Sequence, residues 1–166
     1  MKKINALSII ALLLAITHSH AQTCNANITR SAPDSRYQLV NDNTEVKDTQ
    51  TGLIWQRCSL GQTWNGTSCI SDAVIYNWAD ALQAAKNIGS GWRVPNIKEL
   101  DSLIEQACYS PSINEVFFPN TQSGSYWSSS LVTSDGHYAL VVGFTYGSDG
   151  SAAKDGSRYV RLVRSE

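Results

Sequence analysis

Gly91-Trp92-Arg93-Val94-Pro95-Asn96-Ile97-Lys98-Glu99-Leu100 is the stretch whose reading decides the fold. Asn96 and Glu99 form an Asn-x-x-Glu capping box, in which each side chain satisfies a free backbone N–H at the helix start. Pro95, just outside the cap, prevents the helix from extending backwards. Ile97, Leu100, Leu103, Ile104 and Ala107 recur with helical period, which predicts a helix reaching Cys108. Upstream, Asn77 caps a second helix. Trp78, Ala81, Leu82 and Ala85 give it one apolar face, and Gly89 ends it.

Outside the helices the chain reads as strands. Tyr37 to Val40 and Thr44 to Lys47 alternate around Asn41-Asp42-Asn43, which predicts a short hairpin. Asp48 to Gly52 is a turn, followed by the apolar strand Leu53-Ile54-Trp55-Gln56-Arg57. Beyond Ser123 the pattern predicts strands over 125–132, 137–146 and 157–164. Between them lie Ser134-Asp135-Gly136, Ser148-Asp149-Gly150 and Asp155-Gly156, read as Asp-Gly turns. Neither face of Arg158 to Arg164 is cleanly apolar, so this strand is expected centrally, with its arginine heads reaching past the sheet edges. Two central helices packed on antiparallel strands make a single α+β domain.

The chain has 166 residues, 42% apolar and 16% charged, which excludes a disordered or collagen-like polymer. Met1-Lys2-Lys3, the apolar run Ala6 to Ile16 and Ser19-His20-Ala21 predict a signal peptide over residues 1–21, cleaved before Gln22. The organisation expected is therefore a signal, an N-terminal extension with short strands over 22–47, and a main domain over 48–166. A secreted protein, periplasmic or extracellular, follows. Without Lys2 and Lys3 there are 11 basic residues against 14 acidic ones, a net charge of −3. A broad nucleic-acid-binding surface is not expected. His137 is the only histidine left after cleavage, which excludes multi-histidine metal sites. No cofactor is implied. No second apolar run has membrane-spanning length.

Four cysteines, Cys24, Cys58, Cys69 and Cys108, meet an oxidising compartment and allow three pairings. Cys58 and Cys69 flank a polar, glycine-bearing stretch read as a loop. Cys24 with Cys108 would tie the N-terminus to the end of a helix. No C-x-x-C suggests redox or zinc chemistry.

Trp55 and Trp78 sit in periodic apolar patterns and read as core. Trp64 has no such neighbours, and reads either as an exposed contact residue or as a plug anchoring the cysteine loop. Ser128-Ser129-Ser130 lacks a nucleophile elbow and reads as hydrogen-bonding serines in a strand. Asp135, Asp149 and Asp155 are explained by turn chemistry before calcium is needed. Loops carry binding more often than sheets. The candidate ligand residues are therefore Trp64 and Asn65 in the cysteine loop, Asp135 and His137 in one turn, and Asp149 and Lys154 in another.

Read in order, Asp48-x-x-Thr51-Gly52-Leu53-x-Trp55-Gln56, Trp78-x-x-Ala81-Leu82, Gly91 to Leu100, Phe118-Pro119, Tyr126-Trp127-Ser128-Ser129 and Val160 to Arg164 resemble the Lcl C-terminal domain family. This is the globular end of a bacterial collagen-like adhesin. The resemblance implies a C-type-lectin-like fold and adhesion through sulfated polysaccharides or another surface partner, without enzymatic activity. The chain lacks the Gly-X-Y stalk, and Lys154, Arg158, Arg161 and Arg164 are the residues available for a local basic groove. The calcium-dependent sugar motifs Glu-Pro-Asn and Trp-Asn-Asp are absent: Val94-Pro95-Asn96 and Trp64-Asn65-Gly66 stand in their place. A related fold carries formylglycine-generating oxidation, which needs reactive cysteines near the C-terminus, whereas all four here lie at or before Cys108. A structural surface or pilus subunit is the other alternative.

Overall fold

The computed structural model describes residues 21–166, so the expected signal peptide lies outside the described residues apart from Ala21. In chain order the elements are β1 (Thr23–Cys24), β2 (Tyr37–Val40), β3 (Glu45–Asp48), β4 (Ile54–Gln56), β5 (Thr63–Trp64), β6 (Cys69–Ile70), α1 (Trp78–Ile88), α2 (Ile97–Asp101), β7 (Cys108–Tyr109), β8 (Ser125–Leu131), β9 (Tyr138–Gly143), β10 (Ser148–Ala153) and β11 (Val163–Arg164). The architecture is mixed α+β. The larger sheets have the orders β11-β4-β3-β2 and β10-β9-β8, and β1-β7 and β5-β6 are two-stranded ribbons.

The β2–β3 hairpin turns through Asn41, Asp42 and Asn43, all at positive φ. Asn and Asp tolerate that region better than other side chains. Asn77 accepts from the Asp80 N–H to start α1, and Gly89 closes it. The capping box forms as expected: Asn96 accepts from the Glu99 N–H, and Glu99 accepts from the Asn96 N–H.

The middle of the β8–β9 pair is buried on both faces, whereas β10 is a largely exposed edge strand. Tyr126 pairs with Val142 and Trp127 with Val141. Alternate side chains therefore enter different cores. Tyr126 and Val142 join Trp55, Leu100, Leu103 and Phe118. Trp127 and Val141 join Ala81, Ala85, Val160 and Leu162, with Trp78 packed alongside. The first core buries the larger set of big side chains, while alanines make up much of the second; each large apolar side chain buried contributes ~1.5–3 kcal/mol.

Four expectations are corrected. The second helix stops at Asp101, because Leu103 and Ile104 donate back only three residues, to Leu100 and Asp101. Glu105 then turns inward, and its carboxylate accepts from the N–H groups of Ser31, Ala32 and Ala107. The stretch between Cys58 and Cys69 is not simply a loop, since β5 and β6 form a hairpin within it. Ser148-Asp149-Gly150 is not a turn: it begins β10, and the reversal occurs at 144–147, where Gly147 has φ +70°. The C-terminal strand is only β11, an edge of its sheet. Val160, Arg161, Leu162 and Val163 nevertheless have no exposed surface, so Arg161 is enclosed instead of reaching past an edge.

The disulfides are Cys24–Cys108 and Cys58–Cys69, and no free cysteine remains. β3 spans Glu45–Asp48, so residue 48 lies inside a strand and the β2–β3 hairpin shares its sheet with β4 and β11. Among the described residues, no helix is long and apolar enough to cross a membrane.

Candidate functional site

A cleft of about 280 Å³ opens where three parts of the chain meet, lined chiefly by Glu45, Gln56, Gln62, Thr63, Trp64 and Trp92. Glu45 and Gln56 are paired across β3 and β4, which puts them on one sheet face. Arg164 from β11 donates to Glu45 at 2.8 Å, and Asn41 donates to the other carboxylate oxygen at 2.9 Å. This polar floor is therefore fixed before any ligand arrives.

One wall is the β5–β6 hairpin. Cys58 follows β4 and is bonded to Cys69, the partner of Trp64 across the hairpin. At its tip, Asn65 Oδ1 accepts from the N–H groups of Thr67 and Ser68, both at 2.9 Å. Gly61 must be glycine: its φ is +97°, and a Cβ there would come within 2.5 Å of Val74 Cγ2. Trp92 forms the other wall. Gly89, Ser90 and Gly91 all take positive φ, turning the chain sharply out of α1. Arg93 then exchanges backbone hydrogen bonds with Val163, so Trp92 is set against the edge of the sheet.

Two guanidinium groups sit behind this cleft without carboxylate partners among the described residues. Arg57 lies 3.6 Å from the centre of the Trp64 ring, and donates to the carbonyls of Asn43 and Val116. Arg161 is fully buried and donates to the carbonyls of Gln56 and Arg57 and to the hydroxyls of Thr121 and Ser59. Burial holds Arg57 below the usual arginine range and pushes Arg161 down to about 10. Both remain cations at neutral pH. Glu45, the one carboxylate lining the cleft, is paired with Arg164, and neither Arg57 nor Arg161 lines the cleft itself.

The residues expected from sequence do not form one site. Trp64 is half-buried in the cleft wall, and Asn65 is exposed beside it with its carbonyl committed to the hairpin tip. Asp135, His137 and Lys154 do meet, but elsewhere. Asp135 accepts from the His137 N–H at 2.9 Å, Lys154 Nζ donates to the Gly136 carbonyl at 2.8 Å, and Lys154 lies 4.4 Å from the Trp78 ring centre. Asp149 joins neither group. It stands in β10 opposite Val142, and after burial its charge is the further cause that raises the Asp101 carboxyl.

The expected basic groove is likewise dispersed. Lys154 stacks on Trp78, Arg158 lies near Trp127, Arg161 is enclosed and Arg164 is paired with Glu45. The serine cluster is absorbed in hydrogen bonds: Ser128 and Ser129 donate to the Leu140 and Pro95 carbonyls, and Ser130 accepts from the Ile97 N–H. Among the described residues no group of three or more His, Cys, Asp or Glu side chains is arranged to hold a metal ion. Sequence reasoning missed Trp92, Glu45, Gln56 and Gln62. The alternation of Glu45 and Lys47 with Val46 marks an outward face, but nothing local links that face to Trp92.

The fold and cleft define a disulfide-stapled α+β domain with a polar, tryptophan-walled depression on the outer face of a sheet. The chain belongs to the Lcl C-terminal domain family, whose profile matches residues 44–164. No curated protein matches it significantly.

Proposed function

We propose that this domain is a secreted, non-enzymatic adhesion module of C-type-lectin-like fold, and that it holds an acidic glycan in the Trp64–Trp92 cleft. The observation that carries the reading is the pairing of two tryptophan walls with a floor of carboxylate, amide and hydroxyl groups. Pyranose rings present apolar C–H faces to indoles and hydroxyl edges to such polar groups, and the combination suits sugars better than purely apolar ligands. The uncompensated charges of Arg57 and Arg161 favour carboxylated or sulfated units over neutral ones. Membership of the family and the expected signal peptide agree with a role outside the cytoplasm.

A glycan array with purified protein, with and without calcium and at two salt concentrations, tests this. The expected result is binding of acidic glycans that is independent of calcium, weakened by salt and lost in Trp92→Ala. Failure to bind any glycan, together with specific capture of a surface protein, would overturn it.

A further inference from the structure

We infer that the binding site continues past Trp92 into a second groove, so that the domain grips an internal stretch of a linear polysaccharide instead of one terminal sugar. This rests on the glycan reading of the first cleft. The second groove, about 310 Å³, runs between α1 and the segment after it, lined by Leu82, Ala85, Lys86, Val94 and Ser129. Trp92 lines both hollows, so the two adjoin at this residue.

Three features support continuity. Each hollow is near the lower end of the ~300–1,000 Å³ range of ligand pockets, so neither holds more than a short piece of a polymer. The residue they share is rigid. Trp92 follows three positive-φ residues, and Arg93 is held both by backbone bonds to Val163 and by a bidentate pair with Glu99 at 2.7 Å. A fixed aromatic binds at low entropic cost. The two linings also differ in a useful way. The first supplies hydrogen-bonding groups, whereas the second is largely aliphatic with the cation Lys86 at its rim. That pattern suits a chain whose next ring rests on its apolar face and directs an acidic group to Lys86.

Calorimetric titration with heparin-derived di- and hexasaccharides, and with neutral chitin-derived ones of the same lengths, tests the inference. Affinity is expected to rise about tenfold or more from di- to hexasaccharide, as an added contact along one chain should give. Lys86→Glu should abolish most of that gain for the acidic hexasaccharide and leave the disaccharide unchanged. Leu82→Glu, checked for folding by circular dichroism, should do the same. Arg30→Glu, which lines neither groove, should have no effect on the gain. A length-dependent gain with the neutral series alone, sensitive to Leu82→Glu, would support the extended groove while overturning the acidic preference. Equal affinity for both lengths, or a gain that survives both groove variants, would overturn the inference and leave the first cleft intact. Absence of binding by every oligosaccharide would overturn both.

Discussion

The Arg57 guanidinium lies 3.6 Å from the centre of the Trp64 indole. A mostly buried cation thus backs a half-buried aromatic, and the hairpin carrying Trp64 is braced against the end of β4. Trp64→Ala is expected to cost about 1–2 kcal/mol, below the ~3–5 kcal/mol of a fully buried aromatic. A double-mutant cycle with Arg57→Met, read by urea denaturation, should give a coupling of about 1 kcal/mol. Zero coupling would mean that the stacking is incidental.

The Arg36–Asp48 pair makes stability depend on acid. Burial alone would raise the Asp48 carboxyl, but hydrogen bonds from Arg36 and Thr51 hold it below its ordinary value of 3.8. The unfolded chain therefore binds the proton more readily. The pair's contribution is complete above pH 3.8 and is lost as pH falls through the lower folded value. Asp48→Asn should be less stable at neutral pH and should lose this part of the acid slope in denaturation curves recorded from pH 6 to about pH 2.

Glu105 ties the N-terminal segment to the chain after α2, with its carboxylate accepting from Ser31, Ala32 and Ala107 at 2.9–3.1 Å. Glu105→Gln replaces one acceptor oxygen with a donor that faces another donor. The expected cost is about 2–3 kcal/mol, measured by chemical denaturation. A neutral effect would show that the segment can detach without penalty.

The two disulfides should separate stability from binding. Removing Cys24–Cys108, which spans 84 residues, is expected to cost about 4.5 kcal/mol. Removing Cys58–Cys69, which spans 11, should cost about 3 kcal/mol. Cys58→Ser/Cys69→Ser should nevertheless impair glycan binding more, because it frees the Trp64 wall. Thermal melts paired with binding titrations of the two double variants check this.

Helix starts and turn residues were legible because their determinants are neighbours in sequence. Asn77 and Asn96 each reach a backbone N–H three residues on, and Asn41 to Asn43 adopt the left-handed turn their side chains tolerate. Periodicity misled where it reported burial alone. Leu103, Ile104 and Ala107 are buried as the stripe predicts, yet they lie beyond the helix, where Glu105 turns inward to accept from Ser31 and Ala32 across the fold. Ser148-Asp149-Gly150 misled in the opposite sense. Its polar residues suit an exposed edge strand as well as a turn, and only the pairing of β10 with β9 distinguishes the two.

The sequence by itself determined the α+β class, the principal caps, the hairpin turn and the membership of a family, because each depends on residues within a few positions or on an ordered series of motifs. Tertiary structure decided the cysteine pairing, the enclosure of Arg161 and the cleft. Glu45, Gln56, Trp64, Trp92 and Arg164 lie on β3, β4, β5, the segment after α1 and β11, and no local energy couples them. Sheet register and the Cys58–Cys69 bond bring them together, since those long-range contacts form only when the two cores are buried.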